Sequence, residues 1–261
     1  VIGRNLARRL LDQGHQVHTT VRASSDTSVL DGMGLTVLEA DLTSLEQTER
    51  AFEASSPEAV FHCAAEVTSK DVELLYTANV EATFNVCASC LEHDVKRLVH
   101  LSSVSVISGN QDVPLTDSLP YKASIPYGWS KIEAEMLVLE ARRKGLPSAV
   151  IRPCMVYGED EPHLLSRILG LVRKRRIPLI DVKQMDSLLN LVDINNLVQA
   201  LGLALDKDEA LEGTFIIADR EIITVRRFLQ ILYEALGERP PVIPAWLARP
   251  VMMIPPVKKR A

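Results

Sequence analysis

Cysteine is scarce in this chain: among 261 residues only Cys63, Cys87, Cys90 and Cys154 occur. Cys87-x-x-Cys90 has no second pair to complete a zinc site, and His93, a turn further on, shares its helix face by spacing alone. The expectation is a buried, reduced structural pair in a cytoplasmic setting, with no metal. No apolar run reaches the ~18 residues of a membrane-spanning helix, and no leader pattern opens the sequence. Strong charge is missing too: 29 basic against 34 acidic residues leave a net charge of -5, which argues against a nucleic-acid partner. The basic run Arg173-Lys174-Arg175-Arg176 reads as the solvent face or end of a helix beginning near His163. Internal repeats and low-complexity segments are absent. With 47% hydrophobic residues, what remains is one large soluble domain, or one with a small appendage.

What is present is an alternation of short β-rich runs and helical patterns. Residues 4–13 place Leu6, Leu10 and Leu11 on one helix face, with Gly14 to stop it. Strands are expected at 16–21, 35–39, 59–63, 97–102 and 148–152. Between them come helices at 45–54, from Asn79 to His93, and from Tyr127. Such spacing requires right-handed crossovers and a parallel sheet covered on both faces, the doubly wound α/β architecture, in which ligands bind at the carboxyl ends of the strands. Residues 1–158 are read as this dinucleotide-binding domain. Residues 159–261 are read mainly as a substrate lobe, partly interleaved with the sheet, with helices at 163–174, 195–205 and 225–236 and a strand at 214–217. Val1-Ile2-Gly3 runs straight into a helix without the strand and glycine-rich turn that open such a sheet. A truncated amino terminus is therefore expected.

Tyr127-Gly-Trp-Ser-Lys131 carries the chemistry. On a helix the phenol and the ammonium lie one turn apart on one face. A free tyrosine ionises near pH 10, and a fixed positive charge beside it favours the phenolate. Lowering its pKa to near neutrality takes about 4 kcal/mol, which a close lysine together with a cationic nicotinamide could supply.

These residues, with their neighbours in order along the chain, resemble the extended short-chain dehydrogenases/reductases of the NAD-dependent epimerase/dehydratase superfamily. The similarity is to the branch holding 3β-hydroxysteroid dehydrogenases and dihydroflavonol reductases. Val1-Ile2-Gly3 resembles the tail of the family's glycine-rich turn, with Gly3 as its third glycine. Arg22 stands where relatives that prefer NAD carry an acid, and the resemblance there implies NADP ahead of NAD. Asp41 and Leu42 match the adenine-binding position, and Cys63-Ala64-Ala65 the small-residue turn against the cofactor. Asn79 matches a helix position that supports the active-site frame. The Ser102-Ser103 pair ends the strand bearing the catalytic hydroxyl, Ser103 aligning better. Arg152-Pro153-Cys154-Met155-Val156-Tyr157-Gly158 resembles the segment whose backbone, at Pro153, lies against the nicotinamide, although Glu159-Asp160-Glu161 departs from the pattern that follows. Leu191-Val192-Asp193 resembles a further run of the family, with Asp193 in place of its histidine.

The resemblance implies hydride transfer between NADP or NAD and a secondary alcohol or ketone, with a steroid or other lipophilic substrate. Tyr127 would be the acid/base, Lys131 its partner and ribose ligand, Ser103 the carbonyl-orienting hydroxyl and Asn79 the support. A nucleotide-sugar epimerase with tightly held NAD is one alternative, and a non-catalytic cofactor-binding homologue another. Homodimerisation through the Asn79 and Tyr127 helices is also implied. The apolar stretch Pro244 to Ile254, followed by Lys258-Lys259-Arg260, is too short to span a bilayer and reads equally as a membrane contact, the lining of a lipophilic entrance, or a helix that packs on a further C-terminal segment.

Overall fold

The computed structural model describes residues 1–111, 114–161, 165–174, 177–180 and 182–244. The chain divides into two compact units: Val1–Val156 with Val192–Ala218, and Tyr157–Leu191 with the chain from Asp219 onward.

In the first unit, α1 (Ile2–Asp12) buries Asn5, Leu6, Ala7 and Leu10, whereas Leu11 is only half-buried. Gly14 ends it at φ 85°, a left-handed exit open to glycine, and the His15 N–H returns to the Leu10 carbonyl. β1 (His18–Val21) and β2 (Thr36–Glu39) pair in parallel. Ser44 caps α2 (Leu45–Ser55) by accepting from the Gln47 N–H, and the Gln47 side chain reaches back to the Asp41 N–H at 2.9 Å. This reciprocal arrangement satisfies donors at the helix start, as a capping box does. β3 (Ala59–His62) follows.

Next comes α3 (Val72–Tyr76), with Asp71 accepting from the Glu73 and Leu74 N–H groups. It continues through a π-helical turn, Thr77–Glu81, into α4 (Ala82–Glu92). The helix expected to open at Asn79 therefore starts earlier, and Asn79 is a buried member of the wide turn rather than a cap. β4 (Arg97–Leu101), α5 (Pro126–Arg143), β5 (Ser148–Pro153) and β6 (Met155–Tyr157) complete the sequence up to the second unit. Pro126 sits in the first turn of α5, where its missing N–H costs nothing.

The second unit opens with α6 (Leu165–Arg173), β7 (Leu179–Ile180) and β8 (Leu188–Leu189). His163, Arg175 and Arg176 lie outside the described residues. β9 (Leu191–Asp193), α7 (Ile194–Asp206) and β10 (Thr214–Ile217) lead back through the first unit. β11 (Ile223–Thr224), α8 (Val225–Ala235) and β12 (Val242–Ile243) then belong to the second. That unit has its own core of Val172, Leu179, Leu191, Phe228, Leu229, Leu232 and Tyr233, the last donating its hydroxyl to the Ile177 carbonyl at 2.9 Å.

The main sheet runs β10-β5-β4-β3, every pair parallel. All six residues of β5 are buried, as a strand covered on both faces requires. Successive residues of β4 serve opposite faces. Val99 and Leu101 pack with Leu6, Leu10, Leu197 and Leu201 of α1 and α7, while Leu98 packs with Val86, Cys90 and Val138 of α4 and α5. A parallel sheet with helices on both faces is the doubly wound fold. Cys87 and Cys90 belong to the second of these cores, where burial pushes the Cys87 thiol up to about 12; all four cysteines are free. Among the described residues no helix is long and apolar enough to cross a membrane, and no cluster of side chains could hold a metal ion. Of the apolar stretch near the end, only Pro244 falls within the described residues.

Candidate active site

The parallel strands bring their carboxyl ends out together, and helix α5 starts at that end. Gly128 makes this approach feasible. A side-chain carbon there would stand 2.8 Å from the Ser105 carbonyl oxygen and 2.7 Å from the Ala123 Cβ, so any other residue would push the helix start away. Tyr127, Lys131 and Glu135 follow one another at helical spacing along α5, with Lys131 and Glu135 fully buried.

Ser103 caps the short turn after β4 by accepting from the Ser105 N–H at 3.1 Å, and its hydroxyl lies where it favours the Tyr127 phenolate. The preceding Ser102 is turned inward, donating to Glu135 Oε2 at 2.7 Å. The two serines, which the sequence leaves as alternatives, thus do different work: one faces the phenol, the other a buried carboxylate.

Lys131 Nζ donates to the Leu101 carbonyl at 2.8 Å. Burial lowers its pKa to about 8, with Glu135 and Cys63 acting the other way. His62 and His100, opposite each other on β3 and β4, are buried with ring centroids 5.4 Å apart. His62 shares a 2.9 Å hydrogen bond with Thr83, and burial lowers its pKa to about 3, with help from Lys131. Burial also holds His100 well below the ordinary histidine value, and neither of its ring nitrogens finds a partner. The Tyr127 phenol departs from the sequence expectation. Burial raises its pKa, the Ser103 hydroxyl opposing this, and the lysine reaches the strand carbonyl rather than the phenol.

Glu135 is the most heavily bonded side chain of this layer. It accepts from Ser102, from the Tyr121 hydroxyl at 2.7 Å, and from the Arg152 guanidinium through Nε and Nη2. Arg152 also donates to the Asp117 carbonyl and lies over the Tyr121 ring, 5.3 Å from its centroid. Removing one partner of such a buried pair costs about 3–5 kcal/mol, since the other charge is left uncompensated. Asn79 works on the opposite side. Its amide makes a two-way pair with the Glu66 backbone, at 2.7 and 2.9 Å, and donates to Ser130 of α5 at 2.9 Å. Its carbonyl accepts from Thr83. Asn79 therefore ties the exit of β3 to the turn between Tyr127 and Lys131. Glu135, Ser130, Thr83 and His100 were not singled out from the sequence. Helical spacing from Lys131 could have found Glu135, and strand alternation could have placed Ser102 on the inner face with His100.

The residues expected to hold a dinucleotide fall at the same strand ends. A side-chain carbon on Gly3 would stand 3.7 Å from the Cys63 Cβ, so the bare backbone at the start of α1 comes against the exit of β3. The first-turn N–H groups of a helix lack intrahelical partners and suit a pyrophosphate. Ala64 and Ala65 are exposed, Leu42 and Cys63 half-buried and Pro153 buried. Arg22 is exposed just beyond β1. Asp41 accepts from the Thr43 N–H and hydroxyl, at 3.0 and 2.8 Å, and these bonds, with a smaller contribution from Arg22, hold its carboxyl below the usual range. Small backbone-exposing residues, a helix start and a cation at one strand-end region make a donor set that fits a nicotinamide dinucleotide. Asp193, standing where the resemblance has histidine, caps α7 by accepting from the Asn195 N–H at 2.8 Å.

A doubly wound sheet with this strand-end equipment defines an NAD-dependent oxidoreductase or epimerase. The chain belongs to the NAD-dependent epimerase/dehydratase family, whose sequence profile matches residues 1–218. It is 27% identical over 241 residues to the 4-hydroxy-2-methyl-3-oxo-4-farnesyl-3,4-dihydroquinoline-1-oxide ketoreductase of Stigmatella aurantiaca, spanning 90% of this chain and 70% of that protein. To 3beta-hydroxysteroid-dehydrogenase/decarboxylase isoform 1 of Arabidopsis thaliana it is 32% identical over 230 residues, 82% of this chain but only 52% of the relative. Among solved structures, the UDP-glucose 4-epimerase of Thermus thermophilus in complex with NAD matches with a TM-score of 0.79 at 25% identity, covering 94% of this chain and 83% of that one.

Proposed function

We propose that this chain is a reductase or dehydrogenase that interconverts a ketone and a secondary alcohol, with Tyr127 as the proton donor and acceptor. The observation that carries the reading is the placement of the Ser103 hydroxyl where it acts on the Tyr127 phenol, one helical turn from a buried, backbone-anchored Lys131. The nicotinamide cofactor, when bound, supplies or takes the hydride. In the reducing direction Tyr127 gives its phenolic proton to the carbonyl oxygen as the alcohol forms. Ser103 orients that oxygen by donating a hydrogen bond. Lys131 provides positive charge a turn away from the phenol and a donor for the cofactor ribose, and the cationic nicotinamide, when bound, would add the charge that favours the phenolate. Asn79 steadies the turn between them through Ser130.

Arg22 supports NADP, since a guanidinium pairs well with a 2′-phosphate. The names of the curated relatives, a farnesylated quinoline oxide ketoreductase and a hydroxysteroid dehydrogenase, support a lipophilic substrate. The similarity to a UDP-glucose 4-epimerase supports a second reading, a sugar-nucleotide epimerase that retains NAD. Copurification of NAD with the protein favours that reading; free exchange of NADPH favours the reductase. Tyr127→Phe should lower kcat by ~10²–10⁴, the usual worth of a positioned acid, while leaving the NADPH Kd from fluorescence titration nearly unchanged. Full turnover in this variant would refute the assignment.

A further inference from the structure

One buried acid bonds Ser102, the neighbour of Ser103, and acts through its charge on Lys131, and nothing in the proposed reading gives it a task. Glu135 lies one helical turn beyond Lys131 on α5, as Lys131 lies one turn beyond Tyr127. Its carboxylate binds Ser102, immediately before Ser103, and Lys131 donates to the Leu101 carbonyl immediately before that. The end of β4 is thereby pinned to α5 at two successive residues. Through Arg152 and Tyr121 the same carboxylate also fixes β5 and the loop that leads into α5.

We propose that Glu135 is a positioning residue of this site: it sets the register of the Ser103 strand end against the helix face bearing Tyr127 and Lys131, and its charge keeps Lys131 an ammonium. The inference rests on the reductase reading for its catalytic consequence, though not for its electrostatic one. The surroundings of Lys131 leave the task of holding its proton largely to this residue. His62 and His100, on β3 and β4, are held neutral by burial and by the charge of Lys131; Cys63, beyond β3, is a thiol that burial keeps protonated, its pKa raised to about 12; Tyr127 on α5 is neutral. Glu135 is left as the carboxylate acting on the ammonium, and its charge is the main influence opposing burial there. An opposite charge at such range moves a pKa by about one to three units.

The test is a pH titration of the Lys131 side chain by NMR in lysine-labelled protein, its signal assigned by loss in Lys131→Met. In Glu135→Gln the Lys131 midpoint should drop from about 8 to about 7 or below, and the alkaline limb of kcat/KM should move down with it. Because Glu135→Gln leaves Arg152 buried against a neutral group, Glu135→Gln with Arg152→Gln serves where the single variant does not fold, and the same downward movement is expected. Ser102→Ala, which keeps the charge but cuts the link to the strand end, should lower kcat and leave the Lys131 midpoint in place. A Lys131 midpoint unmoved in a folded variant without Glu135 would overturn the electrostatic role, and unchanged kcat in Ser102→Ala the register role. If the midpoint moves as expected while Tyr127→Phe retains turnover, it is the reductase reading that fails.

Discussion

Arg22 and Tyr127 contrast in how far their neighbours determine them. Arg22 stands exposed at the end of a strand, and its charge reaches Asp41. A carboxylate at that point would accept from ribose hydroxyls and repel a 2′-phosphate. Arg22→Glu should therefore lower the ratio of NADPH to NADH affinity by roughly tenfold or more, the equivalent of one charge-assisted hydrogen bond. Fluorescence titration with both cofactors measures it, and an unchanged ratio would remove Arg22 from the discrimination. Tyr127 was legible in the sequence because its partner follows on the same helix. Its acidity was not, because a pattern of spacing reports which side chains share a face and not how deeply they are buried. Alternation along β4 assigns Ser102: with Leu98 and His100 it shares the face towards α4 and α5 and meets Glu135, whereas Ser103 lies beyond the strand end, in the turn where alternation no longer applies.

Pairs of neighbouring elements carry a different vulnerability. The facing histidines of β3 and β4 are buried uncharged, His62 with its pKa near 3. In the unfolded chain a histidine binds a proton below about pH 6.5, so the unfolded state gains protons first. The stability tied to the neutral ring is fully present above that pH and is lost as pH falls towards the folded value. At pH 5 the loss is about 2 kcal/mol for such a histidine. The midpoint of urea unfolding should drop accordingly between pH 7 and pH 5. His100→Phe, which replaces two unpartnered ring nitrogens, should shrink that drop without loss at pH 7. An equal acid loss in the variant would place the sensitivity elsewhere. The helix α7 and the strand β10 were readable from sequence to within a residue, as was the start of α5. The π turn was not, since an inserted residue leaves the apolar content unchanged and alters only the phase of the helix.

For the molecule as a whole, the exposed apolar residues of the first unit include Phe84 on α4 and Trp129 and Met136 on α5. Phe84 is 54% exposed, Trp129 52% and Met136 55%, and the last two lie on one face of α5. Exposed aromatic and methionine side chains at this density are more typical of a covered surface than of one left to water. Together with the family resemblance they support a homodimer through these helices. If these helices pair two chains, Phe84→Glu combined with Met136→Glu should leave only monomer in sedimentation velocity at micromolar concentration, with folding retained because both side chains are outside the core. A wild-type chain that sediments as a monomer would dismiss this assembly. The doubly wound architecture was legible from the rhythm of strands and helices. The Glu135–Arg152 pair that joins α5 to β5 was not, because its partners lie on different elements and each alone reads as an ordinary surface charge.

The wide turn at Thr77–Glu81 has one further consequence. A residue added to a helix rotates everything after it by about 100°, so the turn resets α4 relative to α3. Deleting a single residue within it would restore a regular helix while swinging Asn79 off both Glu66 and Ser130, a change that no side-chain substitution at position 79 could reproduce. Length, as well as the asparagine it carries, is what this short span of backbone needs to hold those bonds.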